Sequence, residues 1–68
     1  IEGKVMVQAL VDTLGAVVDV QVLGSTGEVR LEEVSAAAVW KCRFRPFKRD
    51  GVPSEVYAVF RFAFRIYD

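Results

Sequence analysis

Phe60-Arg61-Phe62-Ala63-Phe64-Arg65-Ile66 alternates without a break. Side chains on an extended chain point to opposite faces in turn, so this stretch reads as a β-strand with an aromatic face toward a core and an arginine face toward solvent. It lies near the end of the sequence, where a sheet is expected to leave an open edge. Working back along the chain, Asp50-Gly51-Val52-Pro53 reads as a turn, and the long final strand is predicted over Ser54 to Tyr67.

The first half gives two more strands. From Lys4 to Asp12, Val5, Val7, Ala9 and Val11 alternate with Lys4, Met6, Gln8, Leu10 and Asp12, which predicts a strand with one polar-leaning side. Asp12-Thr13-Leu14-Gly15 forms a tight turn in which Gly15 supplies the positive φ, and Ala16 to Leu23 is the returning strand of an antiparallel hairpin. After the break at Gly24-Ser25-Thr26-Gly27 the period changes. Leu31, Val34, Ser35, Ala38, Val39 and Cys42 recur at spacings of three and four, one face of an amphipathic helix running from Glu28 to about Cys42. Ser25 or Thr26 is expected to cap it. Glu28, Glu32 and Glu33 at its start and Lys41 and Arg43 at its end suit the helix dipole, and Ala36-Ala37-Ala38 suits a close approach to a sheet. Pro46 ends any helix, because it pushes Arg45 toward extended geometry.

With the hairpin running up and down and the helix returning up, the last strand runs down. It is then antiparallel to the first strand alone, and the sheet order becomes 2-1-3 with the arginine-bearing strand at an edge. The expected architecture is α+β, a two-layer β-β-α-β sandwich in which one helix covers the phenylalanine side of a three-stranded antiparallel sheet. Nothing in these 68 residues is left to cover the opposite face, which favours a homodimer or a further segment upstream of Ile1.

Composition narrows the chemistry. The chain is 53% hydrophobic, yet acids and arginines interrupt every apolar run, so no membrane-spanning helix or signal peptide fits. There is no histidine and one cysteine, which removes the commonest general base and metal ligand and any internal disulfide. The net charge of zero hides a polarity: residues 1–40 sum to −4 and residues 41–68 to +4. The basic run Lys41, Arg43, Arg45, Lys48 and Arg49 is broken by Pro46 and Phe47 in a neutral chain, which argues against nucleic-acid binding. Glu32 and Glu33 point about 100° apart on a helix and read as a solvated face rather than a metal site.

Gly3-Lys4-Val5 opening the first strand, Gly15 in the turn, Ser25-Thr26-Gly27 before the helix, Arg43-Phe44-Arg45-Pro46 after it and Asp50-Gly51-Val52-Pro53 before a strand ending in Phe-x-Phe form an ordered pattern from Gly3 to Ile66. It resembles the C-terminal domain of TonB-family energy transducers. The departures are Cys42 where that family commonly carries tryptophan, with Trp40 two residues earlier, and Phe47 after the proline in place of a small residue. The resemblance implies a periplasmic domain at the end of a linker anchored in the inner membrane beside proton-channel partners. Such a domain grips the TonB-box peptide of outer-membrane transporters and passes work to them, with no catalytic residue, cofactor, metal, small-molecule substrate or nucleic acid. The anchor, the linker and the helix that usually precedes Gly3 are expected to lie outside this sequence.

The candidate site is the edge strand Val56, Tyr57, Ala58, Val59, Phe60, Arg61, Phe62, Ala63, Phe64, Arg65 and Ile66, to which an extended peptide adds by main-chain hydrogen bonds. Arg61 and Arg65 either touch the peptide or only protect the edge from aggregation. Phe60, Phe62 and Phe64 are read as core, Trp40 as packing on a flank of the helix, and Cys42 as a buried, inert thiol. Two other classes stay open. One is a structural or signalling envelope module of the same fold, either TolA-like or the periplasmic tail of a membrane sensor. The other is an acylphosphatase-like enzyme, for which the sequence offers no phosphate-cradling loop.

Overall fold

The computed structural model describes residues 2–65 and contains, in chain order, β1 (Glu2–Val11), β2 (Val17–Thr26), α1 (Val29–Trp40), β3 (Phe47–Arg49), β4 (Val52–Ser54) and β5 (Val56–Arg65). The main sheet is antiparallel with the order β2-β1-β5, and α1 packs on one of its faces, the α+β sandwich expected from the sequence. The short strands β3 and β4 pair with each other as a separate hairpin.

Core and register follow from the alternation in β1. Val5, Val7, Ala9 and Val11 are all buried, and together with Leu31 and Val39 from the helix they supply the buried apolar side chains. Each buried valine or leucine contributes roughly 1.5–3 kcal/mol of transfer free energy. Ser35 is fully buried between these two helical residues, and its hydroxyl donates to the carbonyl of Leu31 at 2.7 Å, so its polarity is satisfied within the helix. Gly3 is also buried, because a Cβ there would stand 2.5 Å from both Leu31 Cδ1 and the carbonyl oxygen of Thr26.

Several expectations need correction. The helix ends at Trp40, and its N-cap is Glu28 without any side-chain cap; Thr26 belongs to β2, where its Oγ1 accepts from the Lys4 N–H at 3.1 Å. No base lies in the last helical turn, since Lys41 is the C-cap and Arg43 forms a bridge with Ala16. Val34, Ala37 and Ala38 face solvent, because Leu31, Ser35 and Val39 alone make a one-residue-per-turn stripe narrow enough to lie on two strands. The helix sits over β1 and β2, so Phe60, Phe62 and Phe64 on β5 are packed against the core but only half-buried. Cys42 is half-buried rather than enclosed, with Sγ 3.3 Å from the carbonyl oxygen of Ala38, and Trp40 is 49% exposed on the helix flank.

The stretch read as a four-residue turn is in fact a hairpin. Arg49 pairs with Val52, which leaves Asp50 and Gly51 as a two-residue loop, both at positive φ (53° and 80°). This is the type I′ geometry that matches strand twist, and Val52 and Pro53 belong to β4. Ser54 likewise belongs to β4, so the final strand starts at Val56; the expected extension through Ile66 and Tyr67 lies outside the described residues. The molecule measures 48 × 18 × 16 Å, and its radius of gyration is 13.7 Å. A compact chain of this length would have about 11 Å.

Candidate functional site

The two edges of the sheet differ. Along β2 the register slips twice, where Met6 and Val7 pair with Gly24 and Val22 and where Leu10 and Val11 pair with Asp19 and Val17. Leu23 and Val18 are therefore bulged residues, and Ala16 at the start of that edge is bridged by Arg43. Bulges twist an edge and interrupt its row of donors and acceptors. Strand β5 instead pairs with β1 over ten consecutive residues without a slip, from Glu2 with Arg65 to Val11 with Val56.

Parity then tells which groups point outward. The N–H groups of Lys4 and Asp12 both face β2, bonding Thr26 Oγ1 at 3.1 Å and the Ala16 carbonyl at 2.8 Å. Even-numbered residues of β1 thus bond toward β2 and odd-numbered ones toward β5. In an antiparallel ladder the directly opposed residues exchange both bonds, so Ala58, Phe60, Phe62 and Phe64, opposite Ala9, Val7, Val5 and Gly3, bond inward to β1. Tyr57, Val59, Arg61 and Ala63 then aim their N–H and C=O groups away from the sheet, and among the described residues no strand lies against them.

Side chains follow the same division. Val56, Ala58, Phe60, Phe62 and Phe64 are half-buried on the helix side, where the rings continue one another: Phe44 to Phe60 at 5.7 Å between centroids, Phe60 to Phe62 at 6.5 Å and Phe62 to Phe64 at 6.2 Å. Tyr57, Val59, Arg61, Ala63 and Arg65 are exposed on the other, uncovered face, and Arg65 Nε meets Glu2 Oε1 at 3.0 Å across the strands. Ile66, the last residue of the candidate edge, is outside the described residues. Phe44 was not anticipated as part of the aromatic row; its place two residues before Pro46 gave no sign that it would reach Phe60.

Among the described residues no group of three or more acids or thiols gathers to hold a metal, and Asp12 uses Oδ1 to accept from Leu14 and Ala16 N–H, both at 2.9 Å, inside its own turn. No described helix is long and apolar enough to cross a membrane. What the site offers is main-chain hydrogen-bonding capacity along one straight edge.

The family model described as the Gram-negative bacterial TonB protein C-terminal matches residues 1–66. No curated protein and no solved structure matches the chain.

Proposed function

The chain belongs to the TonB C-terminal domain family of Gram-negative bacteria, a family of protein-interaction domains, and from that premise we propose that its β5 edge captures the TonB-box peptide of outer-membrane transporters by strand addition. The observation that supports this reading is the unbroken outer edge of β5, with outward main-chain groups at Tyr57, Val59, Arg61 and Ala63 beside a β2 edge that is bulged twice. Each added main-chain bond contributes about 0.5–1.5 kcal/mol net, and ordering an extended peptide offsets part of the sum. An affinity on the order of micromolar is expected.

In this reading the domain works in the periplasm as the far end of a transducer anchored in the inner membrane, whose proton-channel partners supply the work that the captured peptide passes to the transporter for active uptake. Main-chain pairing tolerates sequence differences, which lets one domain serve several transporters.

The test is titration of the isotope-labelled domain with peptides from the periplasmic N-termini of outer-membrane transporters of the same genome. Amide shifts concentrated on β5, with the outward N–H groups gaining protection from exchange, are the expected result. Shifts confined to α1 or β2, or no binding, would overturn the proposal.

A further inference from the structure

The uncovered face of the sheet is not flat. Between Lys4 and Met6 on β1, Gly24 on β2, and Arg61 and Ala63 on β5 lies an open groove of about 420 Å³. No helix residue borders it, and Val5 beneath it is 2% exposed because α1 covers it from the far side, so the groove opens on the face away from the helix. Its shape follows from two small residues. Ala63 pairs with Lys4 and Gly24 pairs with Met6, so each outer strand leaves one position open beside the central one, with Arg61 opposite Met6 and Thr26 opposite Lys4 as the larger neighbours. A Cβ built on Gly24 would meet nothing within 4 Å. The rim is cationic, and among the described residues neither Lys4 nor Arg61 has a salt-bridge partner, in contrast to Arg65 and Arg30.

The groove begins at the β5 edge. A strand added there places a residue directly opposite Ala63, with its side chain on this same face, and the residue two positions away lies opposite Arg61. Because Ala63 is a single methyl, a long side chain from the ligand can lean across it; diagonal neighbours 7–8 Å away are within reach of aromatic and long side chains. We infer that the groove is a specificity pocket for the added strand, selecting a peptide with a long apolar residue, of the size of Phe or Met, opposite Ala63 and a carboxylate two residues away opposite Arg61. The aliphatic stems of Lys4 and Arg61 and the Met6 side chain provide an apolar floor, and the two cationic heads attract the acid. This inference rests on the strand-addition reading and adds to it a side-chain code.

The probe is a capped nine-residue Thr/Val-rich peptide with one Glu and, two residues away, a variable position occupied by Ala or Phe. Affinity is read by fluorescence anisotropy and the binding edge by amide shifts. With the unaltered chain, Phe is expected to tighten binding about tenfold over Ala, and replacing Glu by Gln to weaken it several-fold. Ala63→Trp and, from the opposite wall, Gly24→Leu should each abolish the Phe preference; Gly24→Leu, which lies on β2 away from the binding edge, should do so while the Ala peptide still binds, and it keeps the test open if Ala63→Trp fails to fold. Arg61→Gln should remove the discrimination between Glu and Gln. Equal affinity for Ala and Phe peptides, or a Phe preference that survives in both filled variants, would overturn the pocket while amide shifts on β5 left strand addition standing. Failure of every peptide in the series to bind would overturn strand addition itself, and the pocket with it.

Discussion

The N–H of Phe44 donates to the carbonyl of Gly15 at 2.9 Å, which ties the chain leaving the helix to the turn of the first hairpin. The neighbouring bridge between Ala16 and Arg43 makes the same join from the strand side. These two contacts fix where the chain re-enters the sheet region after α1, and so where β5 starts alongside β1.

Substitution of Gly15 should therefore be far worse than substitution of Gly51, although both sit at positive φ (84° and 80°). At Gly51 a Cβ would have open space, leaving only the left-handed backbone penalty of about 1–2 kcal/mol. At Gly15 the Cβ would collide with the Phe44 carbonyl, adding roughly 1–3 kcal/mol of overpacking and loosening the join. Thermal unfolding of Gly15→Ala and Gly51→Ala should show both destabilised, with Gly15→Ala melting at least about 5 °C below Gly51→Ala. Equal melting temperatures would mean that the join does not hold the fold.

Proline distinguishes outward from inward donors on β5. Val59→Pro and Arg61→Pro each delete an N–H that points away from the sheet, and should lower peptide affinity at least about tenfold with a modest loss of stability. Phe60→Pro deletes a bond to Val7 in the ladder and should prevent folding. Unchanged peptide affinity in both Val59→Pro and Arg61→Pro would count against the edge as the binding site.

Much of this was legible in the sequence because the signal was a period. The alternation of Val5 to Val11 and of Phe60 to Arg65 specified which faces are buried, and counting strand directions gave the β2-β1-β5 order. What escaped were features set by register. Thr26 resembles a helix cap by position, yet it is claimed by the Lys4 N–H on the adjacent strand. The Asp50-Gly51 loop did carry a sequence signature, but with three-residue strands on either side no period was long enough to reveal them. The groove has no linear signature at all, since Gly24 and Ala63 flank it only after the bulge at Leu23 has set the pairing.

Core substitutions should sort by depth. Val7→Ala removes two methyl groups from a fully buried position and should cost about 2 kcal/mol, whereas Val18→Ala, at the 47% exposed bulge, should change stability by less than about 0.5 kcal/mol. Ser35→Leu should be among the most damaging helix variants, because a larger side chain must enter a position with no exposure at all. Urea unfolding of the three variants checks the order.

The same edge should also support self-association. Pairing β5 with β5 of a second copy about a two-fold axis would satisfy the outward groups of both chains and extend the exposed face that carries Tyr57 and Val59. Sedimentation over a concentration series is expected to show a monomer–dimer equilibrium that shifts toward monomer when peptide is added. A monomer at every concentration, or a dimer that binds peptide with undiminished affinity, would show that the two partners do not share β5.

The ten-residue, slip-free register between β1 and β5 also has a mechanical meaning. Tension applied at the Glu2 end of β1 and resisted by a strand held on β5 runs parallel to all of these strands. Load of that kind shears a ladder, so its hydrogen bonds are strained together and must fail together. Force directed across the strands would peel them apart one rung at a time. A ladder of ten consecutive pairs is therefore stiff along the line of its strands and compliant across it.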